Sequence, residues 1–180
     1  MDDTDSLQNI QDLNREKFLS ETHGTLTFNE VMSLIADFIN TNPKANYLLA
    51  IGSDSDLKNQ EGDGSKYLHV VTALLIYRMG YGGKYFRSYE NLKNIYSLKE
   101  KIYAETMKSL NFALGLKPVL KRTLNGNSEK LVFEIHVDIG EVGKTKEMLQ
   151  EITGLVKGVG FSVKTKPNAY AATKVADRHT

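Results

Sequence analysis

The chain has 180 residues, of which 41% are hydrophobic and 25% are charged, and it contains no cysteine. These totals are typical of one globular domain with a substantial core, and they exclude disulfides, thiolate zinc sites and cysteine nucleophiles. No apolar run approaches the roughly 18 residues of a membrane span. The acidic N-terminus is unlike a secretory signal, so the cytoplasm is the expected location.

Charge is distributed unevenly along the chain. Residues 1–30 contain seven acids and two bases, a net charge of −5, so the remaining residues carry +6. This basic excess is compatible with nucleic-acid binding, and equally with a solvated surface of mixed sign. Residues 1–24 show no sustained hydrophobic period. They are predicted to form a flexible acidic leader ahead of a single domain over 25–180.

Hydrophobic periodicity predicts an α/β domain. The first helix spans 27–40, where Thr27 and Glu30 have capping-box spacing. The predicted strands cover 47–51, 67–78, 84–90, 131–138 and 161–166, and further helices cover 92–115, 144–158 and 168–180. This order predicts a mixed five-stranded sheet, with three antiparallel strands followed by βα units and helices on both faces.

Four carboxylates in this pattern are candidates for one site. Asp54 follows the apolar run of the first strand and Asp138 ends the fourth, so parallel pairing would bring both to one carboxyl edge. Glu105 flanks the buried face of the long helix, and Asp177 lies in the last helix. Burying several carboxylates costs several kcal/mol per ion unless cations neutralise them. The pattern therefore predicts a site for two Mg²⁺ or Mn²⁺ ions, since these cations prefer oxygen ligands.

Each of these acids also has an ordinary structural interpretation. Asp54 can be a turn residue, Asp138 a helix N-cap, Glu105 a half-buried ion-pair partner and Asp177 a surface acid. His136 shares the strand face of Asp138, and it either assists proton transfer or is a hydrogen-bonded strand histidine.

The stretch "HVDIGEVGKT" resembles the end of a phosphate-binding loop. The Gly-Lys-Thr ending is present at 143–145, but Asp138 replaces the opening glycine, which disfavours a true P-loop. Lys144 lies at the N-terminus of the next predicted helix and could contact a nucleic-acid phosphate there. Lys166 and Lys174 are weaker candidates for the same role. A nucleotide-binding protein that uses Lys144 remains a minor alternative.

Four segments, "IGSDS", "HVDIG", "TKEMLQEITGLVKGVGF" and "KPNAYAATKVADRHT", resemble the YkuK-type family of predicted ribonuclease H-related nucleases. The resemblance runs from about residue 27 to 180 and implies a ribonuclease H-like fold and a metal-dependent nuclease. Carried over, Asp54 and Asp138 would bridge two metal ions, and Glu105 and Asp177 would complete the ligand shell. The alternative on the same fold is a nucleic-acid-binding or scaffold protein without useful turnover.

Overall fold

The computed structural model describes residues 3–60, 65–124, 130–143, 145–170, 176 and 178. The strands are β1 (Phe18–Ser20), β2 (Gly24–Leu26), β3 (Tyr47–Asn59), β4 (Lys66–Arg78), β5 (Gly82–Leu92), β6 (Leu131–His136) and β7 (Ser162–Lys164). The helices are α1 (Asp3–Arg15), α2 (Phe28–Asn40), α3 (Leu98–Leu124) and α4 (Leu149–Gly158), the last preceded by a 3-10 turn at Lys146–Met148. Thr27 and Glu30 form the predicted capping box at the start of α2.

One mixed sheet organises the domain. Its spatial order is β2-β1-β5-β4-β3-β6-β7. Strands β3, β4 and β5 form an antiparallel meander, and β6 and β7 add in parallel beside β3. The predicted α/β class and mixed sheet are confirmed, but the sheet has seven strands rather than five. The additional strands, β1 and β2, have three residues each, which is too short to show an alternating pattern.

The N-terminal segment differs from the predicted flexible leader. Helix α1 packs against α3, and Leu13 and Phe18 are buried in the core. Gly115 in α3 permits this approach, because a Cβ there would lie 2.7 Å from Leu13 Cδ1 and 3.0 Å from the backbone oxygen of Asn9. The described part of residues 1–24 therefore belongs to the domain.

The main hydrophobic core lies on one face of the sheet. All four helices contribute side chains to it, as do alternate β3 residues such as Leu49 and Ile51. The opposite face carries a small cluster around Leu48 and Ala50. Helices on both faces were predicted, but α1–α4 all pack on the same side. The last predicted helix lies mostly outside the described residues.

Helix α3 is longer than its sequence pattern indicated. It was predicted to end at Gly115 and Pro118, yet it continues through both residues to Leu124. Proline inside a helix costs about 3 kcal/mol, whereas each fully buried leucine contributes about 1.5–3 kcal/mol. Leu116, Leu120 and Leu124 are all buried, so their packing outweighs the proline. Neither α3 nor any other helix in the described ranges is long and apolar enough to cross a membrane.

Candidate metal and nucleic-acid site

Two of the predicted acids, Asp54 and Asp138, lie just beyond the carboxyl end of the β3–β6 pair. The parallel register ends with the pair Gly52 and His136, and Asp54 and Asp138 each lie two residues further along the chain. Asp54 was expected at the end of its strand, but β3 continues to Asn59 and pairs Asp54 with Val71 of β4. The pairing of β3 with β6 is what ends, two residues before Asp54. Such an edge is where ligand crevices form in open α/β sheets.

Asp138 is held firmly just after β6. The N–H of Val137 donates to the Lys164 carbonyl at 2.9 Å, and the N–H of Lys166 donates to the Ile139 carbonyl at 2.8 Å. The Lys166 ammonium lies 2.9 Å from Asp138 Oδ2. Asp138 Oδ1 is buried and has no hydrogen-bond partner among the described residues. Lys166, predicted as a phosphate contact, is thus an ion-pair partner of Asp138.

Glu105 lies on α3 and is only 5% exposed. The Ser55 hydroxyl donates a hydrogen bond of 2.6 Å to Glu105 Oε1. Lys101 Nζ lies 3.6 Å from the same oxygen and also donates to the Ser55 carbonyl. Sequence reasoning missed both Ser55 and Lys101. Lys101 precedes Glu105 by four residues, and this helical spacing could have revealed it.

Two of the predicted acids act electrostatically on Glu105. Burial raises the pKa of Glu105 to about 7, and the negative charges of Asp54 and Asp138 add to this increase. The Ser55 hydrogen bond and the Lys101 charge oppose it. The carboxylates of Asp54 on β3 and of Asp138 after β6 therefore each lie within electrostatic reach of Glu105 on α3.

Asp54 and Glu105 approach this edge from different faces of the sheet. Ser53 contacts α3 through a 2.8 Å hydrogen bond to Ser109, and Ser55 contacts Glu105. Because side chains alternate along a strand, Asp54 lies on the face opposite these serines. The site thus straddles the position where β6 no longer pairs with β3.

His136 is a buried strand residue near Asp138. Its Nε2 lies 3.2 Å from Glu134 Oε2, and its ring packs edge-on against Tyr170 with centroids 4.9 Å apart. Burial lowers the pKa of His136. These contacts agree with the interpretation of His136 as a hydrogen-bonded strand histidine.

The donor atoms fit a hard divalent cation, although the site is incomplete in the described residues. Within those residues, no three His, Asp or Glu side chains are close enough together to hold one ion. Asp177, the fourth predicted ligand, lies outside the described residues, as do Lys144 and Lys174. Carboxylate oxygens are nevertheless the ligands that Mg²⁺ prefers. The buried, unpartnered Oδ1 of Asp138 is an oxygen that a cation would satisfy.

The structure has the arrangement that the motifs implied. A meander of three antiparallel strands is followed by parallel strands with acids at their carboxyl edge. The chain belongs to the Ribonuclease H-like family, whose model matches residues 30–180. This membership confirms the resemblance and indicates cleavage or binding of nucleic acid.

Among individual proteins, the chain is similar to the uncharacterized protein YkuK of Bacillus subtilis (strain 168). The two are 33% identical over 176 residues, which cover 91% of this chain and 96% of that protein. No solved structure matches the chain significantly.

Proposed function

We propose that the protein is a divalent-metal-dependent nuclease that hydrolyses phosphodiester bonds of nucleic acid. The observation that carries this proposal is that the negative charges of Asp54 and Asp138 both act on the buried Glu105 carboxylate. An acid that is almost fully buried near two others is costly unless the group serves a charged ligand. Membership of a ribonuclease H-like family suggests a nucleic acid as that ligand, and carboxylate oxygens are the ligands that Mg²⁺ prefers.

In this proposal each acid has a role as ligand. Asp54 and Asp138 would hold two Mg²⁺ or Mn²⁺ ions, and Glu105 and Asp177 would each hold one of them. When bound, two such ions supply activation of the attacking water and stabilisation of the leaving 3′-oxygen. Ser55 orients the Glu105 carboxylate by donating to Oε1.

Two lysines balance the charge of the acids. Lys101 lies beside Glu105 and Lys166 beside Asp138. The Lys166 side chain is half exposed, so it can turn from Asp138 toward a substrate phosphate. Lys144 and Lys174 are proposed as further phosphate contacts.

Cleavage assays with matched variants test the proposal. Labelled DNA, RNA and DNA–RNA hybrid are incubated with the protein and Mn²⁺, and with chelator in a parallel series. We expect cleavage with Mn²⁺ only, reduced to background by Asp54→Asn and by Asp138→Asn. Asp56→Asn is the control, because Asp56 is exposed on the same strand and its Oδ1 accepts a 2.8 Å hydrogen bond from the neighbouring Leu57 N–H. Cleavage that survives Asp54→Asn and Asp138→Asn would contradict the proposal.

The second candidate is a nucleic-acid-binding or scaffold protein without useful turnover. The ion pairs of Lys101 with Glu105 and of Lys166 with Asp138 favour it, because they neutralise two of the acids without a metal. The same assays separate the two functions. Nanomolar binding of a nucleic acid with no cleavage in Mn²⁺ would support this candidate.

A further inference from the structure

A second feature lies at the same end of the sheet as the carboxylates. A cavity of about 670 Å³ is formed by the end of β3, the start of β4 and the loop between β5 and α3. Leu57 in its wall comes two residues after Ser55, so it shares the face of Ser55 and lies about 7 Å further along the strand. The other wall residues are Ser65, Lys66, Lys93, Asn94, Ile95 and Tyr96. One wall residue of the cavity thus lies on the same strand face as Ser55, which contacts Glu105.

Tyr96 in this cavity is exposed yet held in place. Its side chain is 83% exposed, and its hydroxyl donates to Asn94 Oδ1 at 3.0 Å. The N–H groups of Tyr96 and Ser97 both donate to Glu100 Oε2 at 2.8 Å, and the Glu100 N–H donates to Ser97 Oγ at 3.1 Å. This reciprocal cap fixes the loop at the start of α3. An aromatic ring ordered before binding loses little freedom when a ligand stacks on it.

Among the described residues that line the cavity, the charged ones are basic. Lys66 and Lys93 are exposed, and neither forms an ion pair with an acid in the described ranges. A larger cavity, of about 800 Å³ and lined mainly by α1, β5 and α3, differs in how its charges are paired. There Lys108 already pairs with Glu16 at 2.6 Å and with Glu90 at 3.0 Å. The smaller cavity therefore offers positive charge to an anion, whereas the larger one is internally neutralised.

We propose that the cavity at Tyr96 binds single-stranded nucleic acid, with a base stacked on Tyr96 and adjacent phosphates on Lys66 and Lys93. Aromatic rings beside lysines are the elements of sequence-independent single-strand binding. Bases within a duplex are already stacked, so only an unpaired base can use the ring. This inference rests on the proposed function, to which it adds the class of substrate and the path that the strand takes.

Fluorescence anisotropy with matched tyrosine variants tests the inference. The probes are labelled oligo-dT and oligo-rU of about 12 nucleotides, a length within the range of known single-strand sites, and a DNA duplex of equal length. Chelator is present, so that binding is measured independently of cleavage. Tyr96→Ala is expected to weaken single-strand binding by roughly 5- to 150-fold, and Tyr96→Phe to retain most of the affinity. Tyr81→Ala is the control, since Tyr81 is 75% exposed and lies near the opposite end of the sheet.

Phosphate contacts have a separate readout in the salt dependence of binding. Each lysine that contacts a single-strand phosphate contributes about 0.7 to the log–log salt slope, so Lys66→Ala with Lys93→Ala should lower it by about 1.4. Equal affinities of Tyr96→Ala and Tyr81→Ala would overturn the inference, as would a Tyr96→Ala loss of the same size on the duplex. Neither result would contradict the proposed nuclease activity, which is tested separately by cleavage in the Asp54 and Asp138 variants.

Discussion

The two halves of α3 bury different kinds of side chain. In the C-terminal half, Leu116 and Leu120 pack into the core without polar groups. In the N-terminal half, the buried side chains include Glu105, Thr106 and Ser109. A single helix thus stabilises the domain at one end and, at the other, gives up stability to hold a carboxylate beside the sheet edge. Positions that violate the usual rules of burial are where function is expected.

Removing a leucine from the apolar half should produce the largest effect on stability. Leu116 is fully buried, so Leu116→Ala is expected to lower the free energy of unfolding by about 2–5 kcal/mol, through lost burial and the cavity left behind. Urea denaturation measures the change. Leu98→Ala is the control, because Leu98 is 44% exposed in the first turn of the same helix. Losses of equal size would contradict the division of α3 into a stabilising half and a functional half.

Removing the charge from the polar half should stabilise the metal-free protein. The pKa of Glu105 is raised from 4.5 to about 7, so the folded state binds its proton more tightly than the unfolded state does. The resulting cost is absent below about pH 4.5, grows as the pH rises toward 7, and reaches roughly 3 kcal/mol above that. Glu105→Gln removes the negative charge, so the variant lacks this destabilisation.

Denaturation of both proteins in chelator, at several pH values from 5 to 8.5, measures this difference. The advantage of Glu105→Gln over the parent protein should grow with pH up to about 7 and level off above that. A constant difference at all pH values would show that Glu105 does not titrate in the folded protein as described.

A smaller gain is expected from a neighbouring hydroxyl. Thr106 Oγ1 is buried without a hydrogen-bond partner in the described part of the chain. An unsatisfied buried hydroxyl costs about 1–3 kcal/mol, so Thr106→Val should raise the free energy of unfolding by about 1 kcal/mol. Ser109→Ala should act in the opposite direction, since Ser109 Oγ bonds Ser53 Oγ at 2.8 Å. Thermal denaturation compares the two, and a loss of stability in Thr106→Val would argue against an unsatisfied hydroxyl.

Local signals in the sequence predicted much of the fold. The spacing of Thr27 and Glu30 predicted the cap of α2, and the apolar runs around Leu49 and Ile135 predicted the two strands that pair in parallel. The short strands β1 and β2 escaped notice because three residues carry no measurable period. The passage of α3 through Pro118 depends on leucines that only the tertiary fold buries.

The candidate site likewise has features that the sequence predicted and features that it did not. Asp54 and Asp138 follow apolar runs, so their place at one edge could be anticipated from strand order. The contacts of Ser55 with Glu105 and of Lys166 with Asp138 join elements far apart in the chain. Such contacts depend on strand register and helix rotation, which hydrophobic periodicity alone does not specify.

Calorimetric titration of Mn²⁺ into the folded protein tests the central claim, that these carboxylates form a divalent-cation site. We predict saturable binding of two ions by the parent protein and by Asp56→Asn, and loss of binding in Asp54→Asn and Asp138→Asn. Binding should also raise the melting temperature of the parent protein, because the ions bind only the folded state. A parent protein that binds no Mn²⁺, or variants that all bind it equally, would contradict the account.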